Sequence, residues 1–282
     1  MKTNSAFFLV YFFLFNSLVL ALSPNEISDY KHRLSDPDPA VRLAAMSEMG
    51  SLAERSPEKA GNDVVPFFTK GLSDPDSKVR YNAVSNIALV ATQTTQRFLP
   101  LKPGMIDLQS YAPLKAILEK MLFDPDAEIR QNALIAYDNL FDLTPEMQAQ
   151  LITQYTNEGE GGNQELIITS LAASESPTNS TVNFLLHLLD DHRYANRIAM
   201  TWAGVKGTPP QAALPKLVDL LSKTSNRYDR QAFVSAIGKY GEQARPYLGQ
   251  IEKLRDKETD ATTQANLSRA AEAIRAGKPL QQ

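Results

Sequence analysis

Residues 72–83 read L-S-D-P-D-S-K-V-R-Y-N-A, and near copies of this stretch occupy residues 34–45 and 122–133. The copies agree position by position. Asp36, Asp74 and Asp124 are each followed by proline and then by Asp38, Asp76 and Asp126. A β-branched residue comes next (Val41, Val79, Ile129), then an arginine (Arg42, Arg80, Arg130) and, three on, an alanine (Ala45, Ala83, Ala133). Each position has its own physical task. Proline pushes the residue before it out of the α region and so ends one helix, and the second aspartate can accept amide hydrogens as the N-cap of the next. In the first copy Pro39 falls at the first helical position, where a missing N–H costs nothing. The branched residue and the alanine, four apart, share one helical face, and the small methyl lets a neighbouring helix approach closely. The arginine either folds back over its own turn or reaches the next repeat's aspartate in a charge-assisted bond, and Asp74 is the expected partner of Arg80.

The string D-x-D-x-x-V-R-x-x-A resembles the HEAT repeat, in particular its short, phycobilisome-lyase-like form. The resemblance implies an all-α, right-handed α-solenoid of about seven antiparallel helix pairs, with the second helices lining the concave face. On function it implies only a broad class, because the family includes scaffolds, transport adaptors, chromophore-attachment factors and a few enzymes.

Ahead of the repeats, residues 1–23 carry Lys2, an apolar run over 6–22 broken only by Asn16 and Ser17, and the small residues Ala21 and Ser23. This reads as a signal peptide, short for a membrane span, which wants about 20 apolar residues. The alternative is an uncleaved N-terminal anchor. Residues 24–282 are then expected to be one solenoid. Its helix pairs are predicted at 25–34 and 39–54, 63–72 and 77–92, 111–141 split at the D-P-D turn, 145–155 and 164–173, 181–189 with a second helix to Gly204, 212–221 and 228–240, and 244–254 and 261–276. Pro66, Pro113, Pro215 and Pro246 recur inside the first helices and predict kinks there. Residues 93–110 hold Pro100, Pro103 and Gly104 without helical period and read as an irregular insertion. The fourth pair lacks both aspartate and arginine, and the fifth has Asn196 in the arginine slot with Arg197 one later. The sixth keeps Arg230 and a closing Gly238 that aligns with Gly50, whereas the seventh has lost the arginine, as a capping pair should.

A net charge of −3 argues against nucleic acid as a partner, since phosphate binding needs a basic face, and zero cysteines means no disulfide staples. The three histidines make no His-Glu pair of the kind that would hold a metal between facing helices, and no nucleophile elbow, Walker loop or dinucleotide fingerprint occurs. No catalytic residue, cofactor or metal is therefore expected. The repeated pairs Asp36 and Arg42, Asp74 and Arg80, and Asp124 and Arg130 read as a structural ladder, because a catalytic pair would be needed once. The candidate binding residues follow the arginine slot on the second helices: Tyr81, Asn82, Gln131, Asn132 and Arg197. Trp202 is expected between repeats, and Asn179 and Asn266 lie in N-x-S/T sequons. The expected function is a periplasmic or secreted, non-enzymatic scaffold or adaptor whose partner is another protein, with no stable membrane insertion once the leader is removed. The alternatives are an immunity protein that neutralises a secreted toxin, and an enzyme-like factor related to chromophore lyases.

Overall fold

D-P-D turns separate the two helices of each of the first three pairs, the proline blocking continuation of the first helix and the second aspartate capping the next. The computed structural model of the chain describes residues 22–55, 57–95, 108–159 and 161–280. Fourteen α-helices and no strand are found among these residues: α1 (Pro24–Arg33), α2 (Pro39–Arg55), α3 (Pro57–Leu72), α4 (Ser77–Thr95), α5 (Lys115–Met121), α6 (Ala127–Leu140), α7 (Pro145–Asn157), α8 (Gly162–Ala173), α9 (Asn179–Leu188), α10 (His192–Gly204), α11 (Leu214–Lys223), α12 (Arg227–Gly238), α13 (Leu248–Lys257) and α14 (Ala261–Ala276). The fold is an all-α solenoid of helix pairs. The expected signal peptide lies outside the described residues except for Leu22 and Ser23, and so do 96–107 of the expected insertion. The flanks of that insertion are helical, with α4 running to Thr95 and a 3-10 stretch starting at Leu108.

Two compact units divide the chain, residues 1–141 and 142–282. In the first, the second helices α2, α4 and α6 pack on one another in series, and the first helices α1, α3 and α5 pack against them as an outer layer. The core between the layers includes Met46, Met49, Phe68, Ile87, Leu118 and Ile129, all fully buried. In the second unit, α8, α10, α12 and α14 pack in series in the same way, with α7, α9, α11 and α13 against them. Trp202 on α10 is among the buried residues there.

Of the four prolines expected inside first helices, only Pro66 lies inside an α-helix. Pro113 and Pro246 fall in the 3-10 stretches Leu108–Leu114 and Gly241–Tyr247, and Pro215 stands in the first turn of α11 just after Gln211–Ala213. The first helices of the third, sixth and seventh pairs are thus not kinked α-helices. They are 3-10 entries that hand over to α-helices near the proline, whose missing N–H costs little at a helix start.

Second helices come close where a glycine permits it. Gly50 is buried on α2, and a Cβ built there would overlap the side chain of Asn86 on α4. That amide donates to the Met46 carbonyl at 3.4 Å and to Asn82 Oδ1 at 3.0 Å. Gly238, at the end of α12, admits the segment after α14 instead, since a Cβ there would stand 3.0 Å from the Leu280 side chain, and the Leu280 N–H donates to the Gly238 carbonyl at 2.8 Å. Gly50→Ala is expected to destabilise the protein by about 1 to 3 kcal/mol through overpacking. Asn86→Ala in the same chain should recover most of that loss, and thermal melts of the two single variants and the double variant measure the coupling.

Candidate binding face

The face presented by the second helices is positioned by the turns beneath it. In each D-P-D turn the first carboxylate folds onto its own backbone: Asp36, Asp74 and Asp124 accept the N–H of Asp38, Asp76 and Asp126 at 2.8, 2.9 and 3.0 Å. The second carboxylate caps the following helix, with Asp38, Asp76 and Asp126 accepting the N–H of Ala40, Lys78 and Glu128 at 2.8, 2.8 and 2.9 Å. The arginine then does both of the things open to it. Arg42 Nη1 donates to the carbonyls of Asp36 and Pro37 in its own turn, while Nε and Nη2 grip the carboxylate of Asp74 in the next at 2.7 and 2.9 Å. Arg80 repeats this, donating to the carbonyls of Asp74 and Pro75 and to the carboxylate of Asp124 at 3.0 and 3.4 Å. The carboxylate of Asp74 therefore belongs to Arg42, and that of Asp124 to Arg80, not each to the arginine of its own repeat. Arg130 covers the carbonyls of Asp124 and Pro125 at 2.7 and 2.9 Å.

The second unit keeps this linkage with different chemistry. Arg230 donates to the Ser225 carbonyl and to the carboxylate of Glu258 at 2.7 and 3.3 Å, so glutamate serves where the earlier repeats use aspartate. Asn196, expected in the arginine slot, stands five residues past its N-cap Asp191 where Arg130 and Arg230 stand four past theirs, and it donates to Asp229 of the following repeat at 3.0 Å. Two buried glutamines, absent from the expected site residues, tie the earlier pairs. Gln148 donates to the carbonyls of Leu143 and Ser176 and to the Ser174 hydroxyl, and accepts from the Thr178 N–H and the Thr181 hydroxyl, both at 2.8 Å. Gln164 donates to the carbonyls of Tyr155 and Glu158 and accepts from the Tyr194 hydroxyl at 2.8 Å.

On this frame the first unit places Tyr81 and Asn82 on α4 and Gln131 and Asn132 on α6, at matching positions of adjacent second helices. Tyr81 is 38% exposed and Leu89, about two turns along the same helix, 43%. Neither the Tyr81 hydroxyl nor the half-buried Gln131 amide has a partner among the described residues. Asn82 is occupied by Asn86, and Asn132 donates to the Glu128 carbonyl at 2.9 Å. Arg197 belongs to the second unit, where it is bound to Glu165 at 2.5 Å. Among the described residues no group of acidic residues or histidines could hold a metal ion, and His187 and His192 are exposed. Among them, too, no helix is long and apolar enough to cross a membrane. The sequon residue Asn179 is exposed at the start of α9 and Asn266 is half-buried within α14.

The family model described as sister chromatid cohesion protein PDS5 matches residues 28–277. The chain belongs to that family. No curated protein matches its sequence. Among solved structures, a crystal structure of an engineered protein matches this PDS5-family chain with a TM-score of 0.54 at 16% identity, covering 89% of this chain and 71% of its own, and shares the fold. A second engineered protein matches with a TM-score of 0.41 at 19% identity, covering 91% of this chain and 99% of its own. A designed armadillo repeat protein solved with a (KR)4 peptide gives 0.47 at 18%, covering 88% and 99%.

Two outcomes follow from the linkage. Arg80→Ala strands the part-buried carboxylate of Asp124 and two turn carbonyls, and is expected to cost about 2 to 4 kcal/mol. Arg197→Ala, which removes an exposed pair, should stay within about 1 kcal/mol, and urea unfolding of both variants makes the comparison. Acid sensitivity follows from the same contacts. Burial alone would raise the Asp74 carboxyl, but the bonds from Arg42 and the Asp76 N–H outweigh it and hold the carboxyl below its ordinary value of 3.8. A carboxylate lowered on folding contributes stability that is complete above the unfolded value and is lost as pH falls through the folded one. The melting temperature should therefore drop below pH 3.8, and the drop should be smaller in an Arg42→Ala chain, which has already lost the contact.

Proposed function

We propose that this PDS5-family chain is an exported, non-enzymatic scaffold that holds another protein against the exposed face of its second helices in the first unit. The observation that carries this reading is the contrast along α4. Its turn is pinned by Arg80 and its inner side buried, while Tyr81 and Leu89 stand exposed and, among the described residues, the Tyr81 hydroxyl and the Gln131 amide on neighbouring α6 have hydrogen bonds still to give. An aromatic with a polar tip beside the unengaged Gln131 amide on a rigid helix row suits recognition of a protein segment, because little conformational freedom is lost on binding. Export is supported by the apolar run over residues 6–22. An immunity role against a secreted toxin is a narrower form of the same reading.

Family membership favours a second setting, since the PDS5 description names sister chromatid cohesion. A scaffold of that kind would turn the same face to a chromosomal protein inside the cell. A photo-crosslinking amino acid at position 81 of the full chain, expressed in its own host, tests both. A single stoichiometric protein captured at 81 and not at exposed position 175 on the second unit is expected, and its compartment decides between the settings. Tyr81→Ala should weaken that partner's binding by about tenfold or more. No protein captured at 81, together with turnover of a small molecule by the purified chain, would overturn the scaffold reading.

A further inference from the structure

Comparing equivalent positions of the three ladder repeats shows what the first one lacks. Asp74 and Asp124 each receive two guanidinium bonds from the preceding repeat, and their side chains are only 7% and 10% exposed. Val79 and Ile129, five residues on, are fully buried. In the first repeat Asp36 makes the same bond to its own turn, at 2.8 Å to the Asp38 N–H, yet no arginine reaches it among the described residues and it remains half-exposed. Val41 is likewise only half-buried. Helix α1 buries no residue, and its apolar Ile27 and Tyr30 are half-exposed. The cations nearby are committed elsewhere: Arg42 to Asp74 and to the Asp36 carbonyl, Arg33 to Glu48 at 2.7 Å, and Lys70 to the Ser35 hydroxyl. The first repeat is therefore built as an interior repeat, with both its carboxylate and its apolar positions prepared for a neighbour.

We infer that this end of the first unit is a docking surface for a helical segment of a partner protein that presents an arginine beside apolar residues, the guanidinium seating on Asp36 and the apolar side on Val41, Ile27 and Tyr30. The chemistry of the occupant is set by what fills the same place twice within the chain, a helix whose arginine forks onto the next turn's carboxylate. Residues 1–21 contain no arginine, so they do not supply the guanidinium. Nor does the last helix pair offer one to a second copy, since α14 carries Gln264 in the arginine slot. The inference rests on the scaffold reading but uses a surface apart from the Tyr81 row.

The probe is a fluorescein-labelled peptide of residues 39–55, the helix that fills this role for Asp74, titrated against the full chain by fluorescence anisotropy. Saturable binding is expected. It should weaken by about tenfold or more with an Asp36→Asn chain or an Arg42→Ala peptide and be unchanged with a Tyr81→Ala chain, which separates this surface from the proposed scaffold face. Asp36→Asn keeps an acceptor for the turn, and a Val41→Glu chain, which should also lose binding, covers the case in which the first variant folds poorly. Absence of saturable binding, or binding by the Asp36→Asn and Val41→Glu chains as tight as that of the unaltered chain, would overturn the inference. So would binding that appears only after residues 1–21 are removed, which would make that segment the occupant.

Discussion

The organising interaction is a guanidinium shared between two repeats. Arg42 and Arg80 each satisfy carbonyls of the turn they leave and a carboxylate of the turn that follows. A helix hairpin of this size cannot bury its apolar side alone, so stacking is required by the hydrophobic term. That term is non-directional, and many sliding arrangements of two hairpins would bury similar area. The forked bond removes this freedom, because a carboxylate already bent onto its own backbone can meet the fork in one orientation only. Register between repeats is thus set by polar contacts, while apolar contacts supply the cohesion.

Close approach between second helices depends on a complementary device. Gly50 lies in the second helix of the first pair and Gly238 ends that of the sixth, and each leaves room for a side chain from a later segment, Asn86 of α4 in one case and Leu280 after α14 in the other. The filling side chain differs, polar and bonded in the first unit, apolar and followed by a backbone bond in the second. What the two share is only the missing Cβ, which is why they align in sequence although their surroundings do not.

Helices and turns were legible in the sequence because their signals are local: proline, a capping aspartate and an apolar face fall within a few residues of one another. The arginines' destinations were not, since Arg42 and Arg80 bond aspartates 32 and 44 residues away and sequence alone left both routes open. The 3-10 entries at Pro113 and Pro246 were missed because a 3-10 turn and a kinked helix place nearly the same residues inward. Gln148 and Gln164 carry no charge to draw notice. The available signal was position, a long polar side chain between Met147 and Leu151 on a face that otherwise faces inward. Of the five candidate binding residues, four fall on neighbouring helices of one unit, and the bonds that Asn82 and Asn132 make within their own helices depend on side-chain rotamers that residue spacing does not fix.

The buried amide of Gln148 has a consequence for how the two halves respond to their surroundings. Its bonds to Thr178, Thr181, Ser174 and the carbonyls of Leu143 and Ser176 join neighbouring helix pairs without any formal charge. Ionic strength and acidity act on charged contacts and leave neutral ones nearly untouched. The early repeats are thus fastened by a chemistry that a drop in pH can loosen, while the first joint of the later ones is indifferent to it, so acidification would soften one half of the molecule and spare that joint in the other.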